Sequence, residues 1–268
     1  MDNLLGIYEK ALPDFSWEEK YKLAYLAGFD FIELSIDKNR LNKLDYTDKQ
    51  IKEVIDNADK YNMTLETMTL SANRYYPIGD INLRKQGIEI IKKAIVLASK
   101  LGIKLIQLTA YDVYQKPSTI QSKQLYEDAI KEVLEFNKDY NIILAIEVLE
   151  DVEHFNTSSK LIPFINKINS PYLKEYGDTG NLVYNNFDPL IDLKDGINQI
   201  AAIHIKDAIV HNEHNIEYGK GLVNFDEIFK YLKEVNYQGY LVSECWYEED
   251  YHPDLIKINE FIRNKMKD

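Results

Sequence analysis

Ile-Ile-Leu-Ala-Ile-Glu, at positions 142–147, is the most informative segment of this chain for its fold. Its five apolar residues, three of them β-branched, are typical of a strand that is buried on both faces of a parallel sheet. The sixth residue is a carboxylate, and a glutamate is rarely buried unless it is paired or binds a metal. We therefore expect Glu147 either to reach the surface at the strand end or to belong to a functional site.

Similar apolar runs, each followed by a helical pattern, occur along the whole chain. Predicted strands lie at 4–8, 31–36, 64–70, 104–109, 142–147, 172–176, 200–206 and 240–244. Predicted helices lie at 16–27, 47–61, 82–101, 118–140, 158–168 (interrupted near Pro163), 189–196, 225–235 and 254–267. Strands that alternate with helices indicate a parallel sheet covered by helices. Eight such units in 268 residues predict an α/β fold, the (β/α)8 or TIM barrel.

A doubly wound open sheet is the alternative with the same order of elements. Its fingerprint, G-x-G-x-x-G, does not follow the first predicted strand, and the chain contains no G-x-x-x-x-G-K phosphate loop. No linker or low-complexity segment divides the sequence. We therefore predict one barrel domain spanning residues 1–268.

Composition narrows the classes of function. A formal net charge of -12 opposes binding to a phosphate backbone, and no run of basic residues compensates for it. The single cysteine, Cys245, excludes an internal disulfide and fits a reducing compartment. No stretch approaches 18 apolar residues, and the first residues lack the pattern of a signal peptide. We expect a cytoplasmic protein that binds neither nucleic acid nor a membrane.

Four consecutive strands end in polar residues, at the edge where barrels of this kind carry their sites. Strand five ends at Glu147, strand six runs into Asp178, strand seven contains His204, and strand eight ends at Glu244. Three carboxylates near one point repel one another, and a divalent cation relieves that repulsion. Three oxygen donors and one imidazole predict one manganese or zinc ion, with magnesium and cobalt as alternatives.

Each of these residues taken singly also has a structural explanation. His204 is typical of a hydrogen-bonded core histidine, Asp178 of a turn, and Glu244 of a rim acid that pairs with a lysine. Their coincidence on adjacent strands favours the metal site. His211 and His214 are the alternative for a second metal site.

A metal flanked by two glutamates suits the removal of a proton next to a carbonyl group. The metal would bind the carbonyl oxygen and a neighbouring hydroxyl, and would stabilise an enediolate as it forms. Glu147 and Glu244 lie on opposite sides of the other two ligands in strand order. One can therefore remove the proton and the other can return one on the opposite face, which inverts the carbon.

Seven longer motifs support a more specific hypothesis. They are Leu-Gly-Ile-Tyr-Glu-Lys-Ala-Leu-Pro at 5–13, Gly-Phe-Asp-Phe-Ile-Glu-Leu-Ser at 28–35, Leu-Ser-Ala-Asn-Arg at 70–74 with Pro-Ile-Gly at 77–79, Ile-Gln-Leu-Thr-Ala-Tyr-Asp-Val-Tyr at 106–114, Gly-Asp-Thr-Gly-Asn-Leu at 177–182, His-Ile-Lys-Asp at 204–207, and Gly-Lys-Gly-Leu-Val-Asn-Phe at 219–225. Together they resemble the bacterial L-ribulose-5-phosphate 3-epimerases, also called L-xylulose-5-phosphate 3-epimerases, over nearly the whole chain.

The resemblance implies a (β/α)8 barrel with a divalent metal on Glu147, Asp178, His204 and Glu244. It implies that Glu147 and Glu244 also form the acid/base pair, acting at C3 of a ketopentose 5-phosphate. It places the protein in pentose and ascorbate catabolism, and a homodimer is expected from the family.

The resemblance also bears on the identity of the substrate. Related keto-sugar 3-epimerases carry a histidine three residues after the metal aspartate, whereas this chain has Asn181 there, which favours a phosphorylated sugar. Asn73 stands where the family has a histidine. Lys220 and Asn224 stand where it has a glutamate and an aspartate. These departures fall in loops that shape the substrate end.

Several residues are candidates for contacts with the substrate. Lys220 lies between glycines, and the backbone N–H groups around Gly221 can approach a phosphate. Arg74 is the other candidate for phosphate, through paired hydrogen bonds. The structural explanation for both is a solvated loop cation. Further candidates for lining the pocket are Tyr8, Glu9, Tyr111, Asn181 and Lys206, and Glu33 is interpreted as a structural acid or one that supports a metal ligand.

Four alternatives stay open at this point. An aldose–ketose phosphosugar isomerase, such as a hexulose-6-phosphate isomerase, shares the metal and the enediolate but moves the carbonyl. A free keto-sugar 3-epimerase shares the whole mechanism. A DNA-repair nuclease on the same scaffold needs more histidines and a basic groove. A non-catalytic binding barrel would hold no stoichiometric metal.

Overall fold

The apolar runs form a barrel of eight parallel strands in the computed structural model, which describes residues 1–267. The barrel strands are β1 (Leu5–Tyr8), β2 (Phe31–Ser35), β3 (Thr67–Thr69), β4 (Leu105–Leu108), β5 (Ile143–Glu147), β6 (Leu173–Asp178), β7 (Ile200–Ile205) and β10 (Tyr240–Ser243). They close in the order β1-β10-β7-β6-β5-β4-β3-β2. The predicted (β/α)8 fold is confirmed. The predicted domain ends at residue 268, which lies outside the described residues, and its single-domain organisation stays a prediction.

Helices with identifiable start signals cover the outside of the barrel. They are α1 (Trp17–Leu26), α2 (Asp48–Lys60), α3 (Arg84–Leu101), α4 (Ile120–Asn137), α5 (Ser158–Ile168), α6 (Thr179–Tyr184), α7 (Pro189–Gly196), α8 (Phe225–Glu234) and α9 (Leu255–Lys267). Ser16 and Glu19 form the capping box predicted for α1, in which each side chain accepts a hydrogen bond from the other residue's backbone N–H. No helix within residues 1–267 has the length and apolar character needed to cross a membrane.

The apolar core has a large outer part and a small inner part. The outer part packs the helices against the strands. Inside the barrel, Ala145 and Ala202 pack with Tyr176, and Val242 packs with Phe31 and Tyr8. Because side chains alternate along a strand, the polar residues that follow Ala145, Ala202 and Val242 by two positions point into the mouth of the barrel.

Apart from shifted element ends and three short 3-10 helices within residues 1–267, the structure differs from the predicted elements in three places. Strand β6 continues to Asp178, and the short helix α6 starts directly after it because Asp178 Oδ1 accepts the N–H of Asn181 at 2.7 Å. Helix α5 is continuous through Pro163, since Leu161 and Ile165 on either side of the proline are buried in the core. A β-hairpin, β8 (Asp207–Ile209) and β9 (Asn212–Ile216), follows β7 and has no counterpart among the predicted elements.

Candidate metal centre and substrate pocket

The four residues predicted as metal ligands meet at the mouth of the barrel. Glu147 ends β5, Asp178 ends β6, His204 lies in β7, and Glu244 directly follows β10. All four side chains are buried, and one potential ligand atom from each lies within 4.8 Å of the others. The parallel barrel brings the strand ends together at this edge, as the alternation of side chains predicts.

The imidazole of His204 turns its Nδ1 atom toward the three carboxylates. Nδ1 lies 2.7 Å from Glu147 Oε1, 3.5 Å from Asp178 Oδ2 and 3.7 Å from Glu244 Oε2. One nitrogen and three carboxylate oxygens therefore converge on a common point. Nδ1 is the histidine atom that faces this point.

The other ring nitrogen of His204 faces the carboxylate of Glu33. His204 Nε2 lies 2.7 Å from Glu33 Oε2, and the second oxygen of Glu33 accepts hydrogen bonds from Thr67 Oγ1 at 2.7 Å and Tyr176 OH at 2.8 Å. A carboxylate held this way keeps the proton of a neutral imidazole on Nε2 and leaves the Nδ1 lone pair for a metal. Glu33 thus supports His204, as one of the two sequence interpretations expected.

Strand β4 supplies a contact that the sequence analysis did not anticipate. Gln107 Nε2 donates a hydrogen bond to Glu147 Oε2 at 2.6 Å. The amide is oriented by the backbone N–H of Leu70, which donates to Gln107 Oε1 at 3.1 Å. Glu147 therefore has one oxygen held by Gln107 and the other beside His204. The only signal in the sequence is a buried strand position occupied by a polar residue.

The electrostatics of this cluster are those of carboxylates crowded in a buried place. Burial raises the pKa of Glu147 to about 8, helped by Glu244 and Asp178 and opposed by the imidazole of His204. Burial disfavours the charged imidazole, yet Glu244, Glu33 and Glu147 together raise the pKa of His204 well above its usual range. Crowded acids of this kind hold protons in the absence of a metal and give them up to bind one.

Two buried oxygens indicate that the cluster fits a cation. Asp178 Oδ2 and Glu244 Oε2 are buried and accept no hydrogen bond from any residue within 1–267. Apart from His204, they face the ammonium of Lys206, which lies 3.3 Å from Asp178 Oδ2 and 2.8 Å from Glu244 Oε2. Buried carboxylates are usually paired with a positive charge or bound to a metal. Carboxylate oxygens with a neutral imidazole nitrogen are donors that suit a divalent cation. The four residues are thus a candidate metal site, and the kind of metal stays a prediction.

Lys206, a predicted substrate contact, lies against the same carboxylates. Its Nζ is 2.8 Å from Glu244 Oε2, 2.8 Å from Glu213 Oε2 and 2.9 Å from Asn181 Oδ1. Burial disfavours the charged ammonium, but Asp178, Glu213 and Glu244 raise the pKa of Lys206 well above its usual range. Glu213 belongs to the unpredicted hairpin β8–β9, and no sequence pattern places it here.

The pocket above the cluster contains part of the predicted set of substrate contacts. Tyr8, Arg74, Asn181 and Lys206 line it. Thirteen further residues line the pocket without having been predicted to contact the substrate: Lys10, Asp37, Lys38, Asn39, Thr69, Ser71, Tyr75, Gln107, Thr109, Leu149, Glu150, Glu213 and Trp246. Six of these thirteen lie on the loops after β1, β2 and β3, where side-chain direction depends on the fold rather than on local pattern.

Four residues predicted to contact the substrate or line its pocket lie elsewhere. Glu9 is buried and pairs with Lys20 and Lys43. Tyr111 lines the neighbouring cavity, where its hydroxyl donates to the backbone oxygen of Glu150 at 3.0 Å. Lys220 is exposed and does not line the pocket. The N–H of Gly221 donates to Asp207 Oδ2 at 2.9 Å, and so do other amides of that loop. The loop therefore wraps an aspartate of the chain itself, and its amides are not available for a phosphate.

The alternative second metal site does not form within residues 1–267. The described residues contain one cluster of three or more acidic, histidine or cysteine side chains with metal-binding spacing, and it is the one at the barrel mouth. His214 Nε2 lies 3.0 Å from Glu248 Oε1, whereas the ring of His211 packs edge-on against Tyr184. The two histidines have separate partners.

Comparison with protein families identifies the scaffold. A family model described as a xylose isomerase-like TIM barrel matches residues 21–265. This chain belongs to the xylose isomerase-like TIM barrel family. Membership accounts for the closed parallel barrel and for a site at the C-terminal ends of its strands.

Curated relatives of this family member have nearly the same length. Proteins named L-ribulose-5-phosphate 3-epimerase UlaE from Shigella sonnei and from Escherichia coli O8 are each 35% identical to it over 269 residues. The match covers 98% of this chain and 94% of each relative. The chain is therefore an enzyme of the isomerase class.

Solved structures agree with the fold of this family member. A 3-keto-D-glucoside 4-epimerase, YcjR, from E. coli superposes with a TM-score of 0.81 at 19% identity, covering 98% of this chain and all of that one. A structure named L-ribulose 3-epimerase gives a TM-score of 0.79 at 19% identity, covering 100% of this chain and 95% of that one. At these identities the likeness concerns the barrel alone.

Proposed function

We propose that this enzyme is a metal-dependent 3-epimerase of a ketopentose 5-phosphate, interconverting L-ribulose 5-phosphate and L-xylulose 5-phosphate. The observation that carries the proposal is the position of Glu147 and Glu244, which approach one candidate metal point from β5 and from the end of β10. The 35% identity to proteins named L-ribulose-5-phosphate 3-epimerase over almost the full length supports the same substrate.

The two glutamates would share the proton transfers at C3. An ionised carboxylate removes the C3 proton from one face of the sugar, and the protonated partner returns a proton from the other face. Gln107 holds one oxygen of Glu147 at 2.6 Å and so limits the directions in which that carboxylate can turn. Inversion at C3 would follow with one acid on each side of the reacting carbon, and β5 and β10 lie on either side of β6 and β7 in barrel order.

Glu147, Asp178, His204 and Glu244 would hold a divalent cation between them. When bound, the cation supplies Lewis-acid stabilisation for negative charge on the substrate oxygens next to C3. Lys206 lies beside the same point and can donate hydrogen bonds to those oxygens. Tyr8 and Trp246 line the pocket with their rings edge to face, and they would limit the space for water beside the reacting carbon.

The phosphate end of the substrate would lie on the side of β1, β2 and β3. Lys10, Lys38 and Arg74 line that side of the pocket, opposite the metal ligands in barrel order. Lys10 lies 3.6 Å from its acidic neighbour Asp37, and Lys38 lies over the ring of Tyr75. A phosphate bound here forms charge-assisted hydrogen bonds that a free sugar lacks. This side replaces the Lys220 loop of the sequence hypothesis.

Deuterium exchange tests the proposal directly. In deuterated water with Mn²⁺, L-ribulose 5-phosphate should gain deuterium at C3 and be converted to the C3 epimer. The kcat/KM value for L-ribulose 5-phosphate should exceed that for L-ribulose by roughly tenfold or more, because charge-assisted hydrogen bonds contribute about 1.5–3 kcal/mol. Glu147→Gln should lower exchange by ~100-fold or more and reduce metal retention.

The exposed glutamate Glu135 on α4 provides a control, since Glu135→Gln changes the net charge equally and should leave exchange intact. Deuterium at C1 with formation of an aldose phosphate would identify an isomerase instead. Deuterium exchange at the wild-type rate in Glu147→Gln would show that Glu147 does not transfer the C3 proton. The pathway, the cytoplasmic location and the homodimer stay predictions from the sequence.

A further inference from the structure

Lys206 and the candidate metal point share the same two oxygen atoms. Asp178 Oδ2 lies 3.3 Å from Lys206 Nζ and 3.5 Å from His204 Nδ1. Glu244 Oε2 lies 2.8 Å from Lys206 Nζ and 3.7 Å from His204 Nδ1. A divalent cation seated beside His204 would therefore take oxygens that now face the ammonium.

The ammonium has more acceptors than it has hydrogens. A lysine carries three N–H donors, and four oxygens surround Nζ within 3.3 Å. Among these four contacts, only the one to Asn181 has the geometry of a hydrogen bond. Glu213 Oε2 and Glu244 Oε2 are buried, and no donor within residues 1–267 makes a hydrogen bond of good geometry to them. Lys206 can give up the two metal-facing oxygens and still keep Glu213 and Asn181.

The aliphatic stem of Lys206 is held in place, so its ammonium can shift from one neighbouring oxygen to another but stays within the site. A Cβ at Gly180 would lie 2.7 Å from two carbons of the Lys206 stem, so the missing side chain at the start of α6 provides the channel for it. The ring of Trp246 faces Nζ at 5.3 Å. Asn181 is itself fixed by donating to the backbone oxygen of Val148 at 3.1 Å. The ammonium is confined between the ligands and Glu213.

We propose that Glu213 is a positioning residue that draws Lys206 away from Asp178 and Glu244 and so allows the cation and the ammonium to occupy the site together. Two like charges cannot share the same oxygens at contact distance without strong repulsion. Glu213 is not one of the four residues that converge on the metal point, and its Oε2 lies 2.8 Å from Nζ, on the hairpin β8–β9. With the ammonium on Glu213 and Asn181, its third N–H is free for a substrate oxygen.

The inference rests on the metal site of the proposed function, and Mn²⁺ binding without substrate tests it. Equilibrium dialysis with Mn²⁺ should show that Glu213→Gln binds the ion at least ~10-fold more weakly than wild type, the lower end of the effect of partners behind metal ligands. Lys206→Met should bind Mn²⁺ at least as tightly as wild type, because the competing charge is gone. The double variant Lys206→Met/Glu213→Gln should recover the affinity that Glu213→Gln loses.

Glu217→Gln is the matched control, because it removes one exposed negative charge just after the same hairpin without facing Lys206. It should bind Mn²⁺ like wild type. Wild-type affinity in Glu213→Gln, or a double variant as weak as Glu213→Gln, would overturn the inference alone. A wild-type protein that binds no divalent cation would overturn the proposed function as well. Circular dichroism of the metal-free variants checks that each is folded.

Discussion

At the scale of single residues, Glu33 determines what His204 can do. Its carboxylate accepts hydrogen bonds from Thr67 and Tyr176 on one oxygen and faces His204 Nε2 with the other. Burial alone would raise the pKa of Glu33, but the facing His204 and the surrounding hydrogen bonds lower it overall. An ionised Glu33 keeps a hydrogen on Nε2, and Nδ1 is left to act as an acceptor or a ligand.

Glu33→Gln should weaken metal binding about 10- to 100-fold. The glutamine oxygen would accept the hydrogen bonds from Thr67 and Tyr176, so its NH₂ group would face His204 Nε2. Nε2 would then act as an acceptor, and the imidazole hydrogen would lie on Nδ1, the atom that faces the metal point. Equilibrium dialysis with Zn²⁺ measures the change. Tyr176→Phe, which removes one donor but leaves the Glu33–His204 contact, serves as the comparison and should have a smaller effect. Equal affinities in wild type and Glu33→Gln would contradict this role.

At the scale of elements, a buried acid cluster joins α5, β6 and α7 outside the barrel lumen. Ser158 Oγ lies 2.5 Å from Glu175 Oε1 and 2.7 Å from Asp192 Oδ2, and the Ser158 N–H donates to Asp192 Oδ1 at 2.8 Å. A hydroxyl has one hydrogen, so it cannot donate to both acids. Asp192 already accepts the N–H, which leaves Glu175 as the protonated acid that donates to Ser158 Oγ.

The surroundings of Glu175 favour this neutral form. Its side chain is completely buried, and burial raises its pKa to about 8, with a smaller contribution from Asp192. Burial and the acid Asp195 raise the pKa of Asp192 as well. Tyr237 lies near Glu175, but its side chain is a phenol and adds no positive charge. No lysine or arginine contributes to the shift at Glu175 among the described residues. The proton is therefore part of the packing between these three elements.

Glu175→Gln should make the stability of the protein less dependent on pH. In wild type the folded state holds the Glu175 proton up to about pH 8, whereas the unfolded chain releases it near 4.5. The folded state thus binds more protons in this window, and the free energy of unfolding falls as pH rises from about 4.5 to 8. Glutamine donates the same hydrogen bond at every pH, so its advantage should grow to on the order of 3 kcal/mol by pH 8.

Urea unfolding at pH 5 and at pH 8 measures this difference. Glu234→Gln, at an exposed position on α8, is the control, and its free energy of unfolding should depend on pH as that of the wild type does. Equal slopes of stability against pH in wild type and Glu175→Gln would show that Glu175 is ionised in the folded protein.

At the scale of the whole molecule, the metal ligands come from four strands that the chain visits across about a hundred residues. Glu147, Asp178, His204 and Glu244 bring three carboxylates into one buried place. Without a metal, bound protons and the ammonium of Lys206 offset part of their repulsion, and a bound cation would offset more of it. Because the four ligands meet only in the folded state, binding the cation stabilises the folded state specifically.

Removal of the metal should therefore lower the melting temperature of the protein. At a free metal concentration of about 100 times Kd the stabilisation is about 2.7 kcal/mol. For a chain of this size that corresponds to roughly 5 to 10 °C between Mn²⁺-loaded and chelator-treated protein. Differential scanning calorimetry measures the shift. The melting temperature of Asp178→Asn should change little when Mn²⁺ is added. A wild-type melting temperature that does not change with Mn²⁺ would contradict a stoichiometric site.

The barrel and the acids at its mouth can be predicted from the amino-acid sequence alone. Strand–helix alternation predicts a parallel sheet, and the period of two along each strand assigns Glu147 and Glu244 to the inner face with Ala145 and Val242. These are local properties of the chain, because strand direction and side-chain alternation do not depend on which distant segment lies next to the strand.

The side chains that surround those acids become known only from the folded arrangement of the barrel. Glu33 meets His204 from 171 residues away, and Gln107 meets Glu147 from 40 residues away, since barrel closure and register set these contacts. The hairpin with Glu213 and the loop of Gly221 around Asp207 depend on where long connections fold back. Local pattern carries no information on such contacts, because a polar loop residue faces solvent or a pocket according to what packs against it.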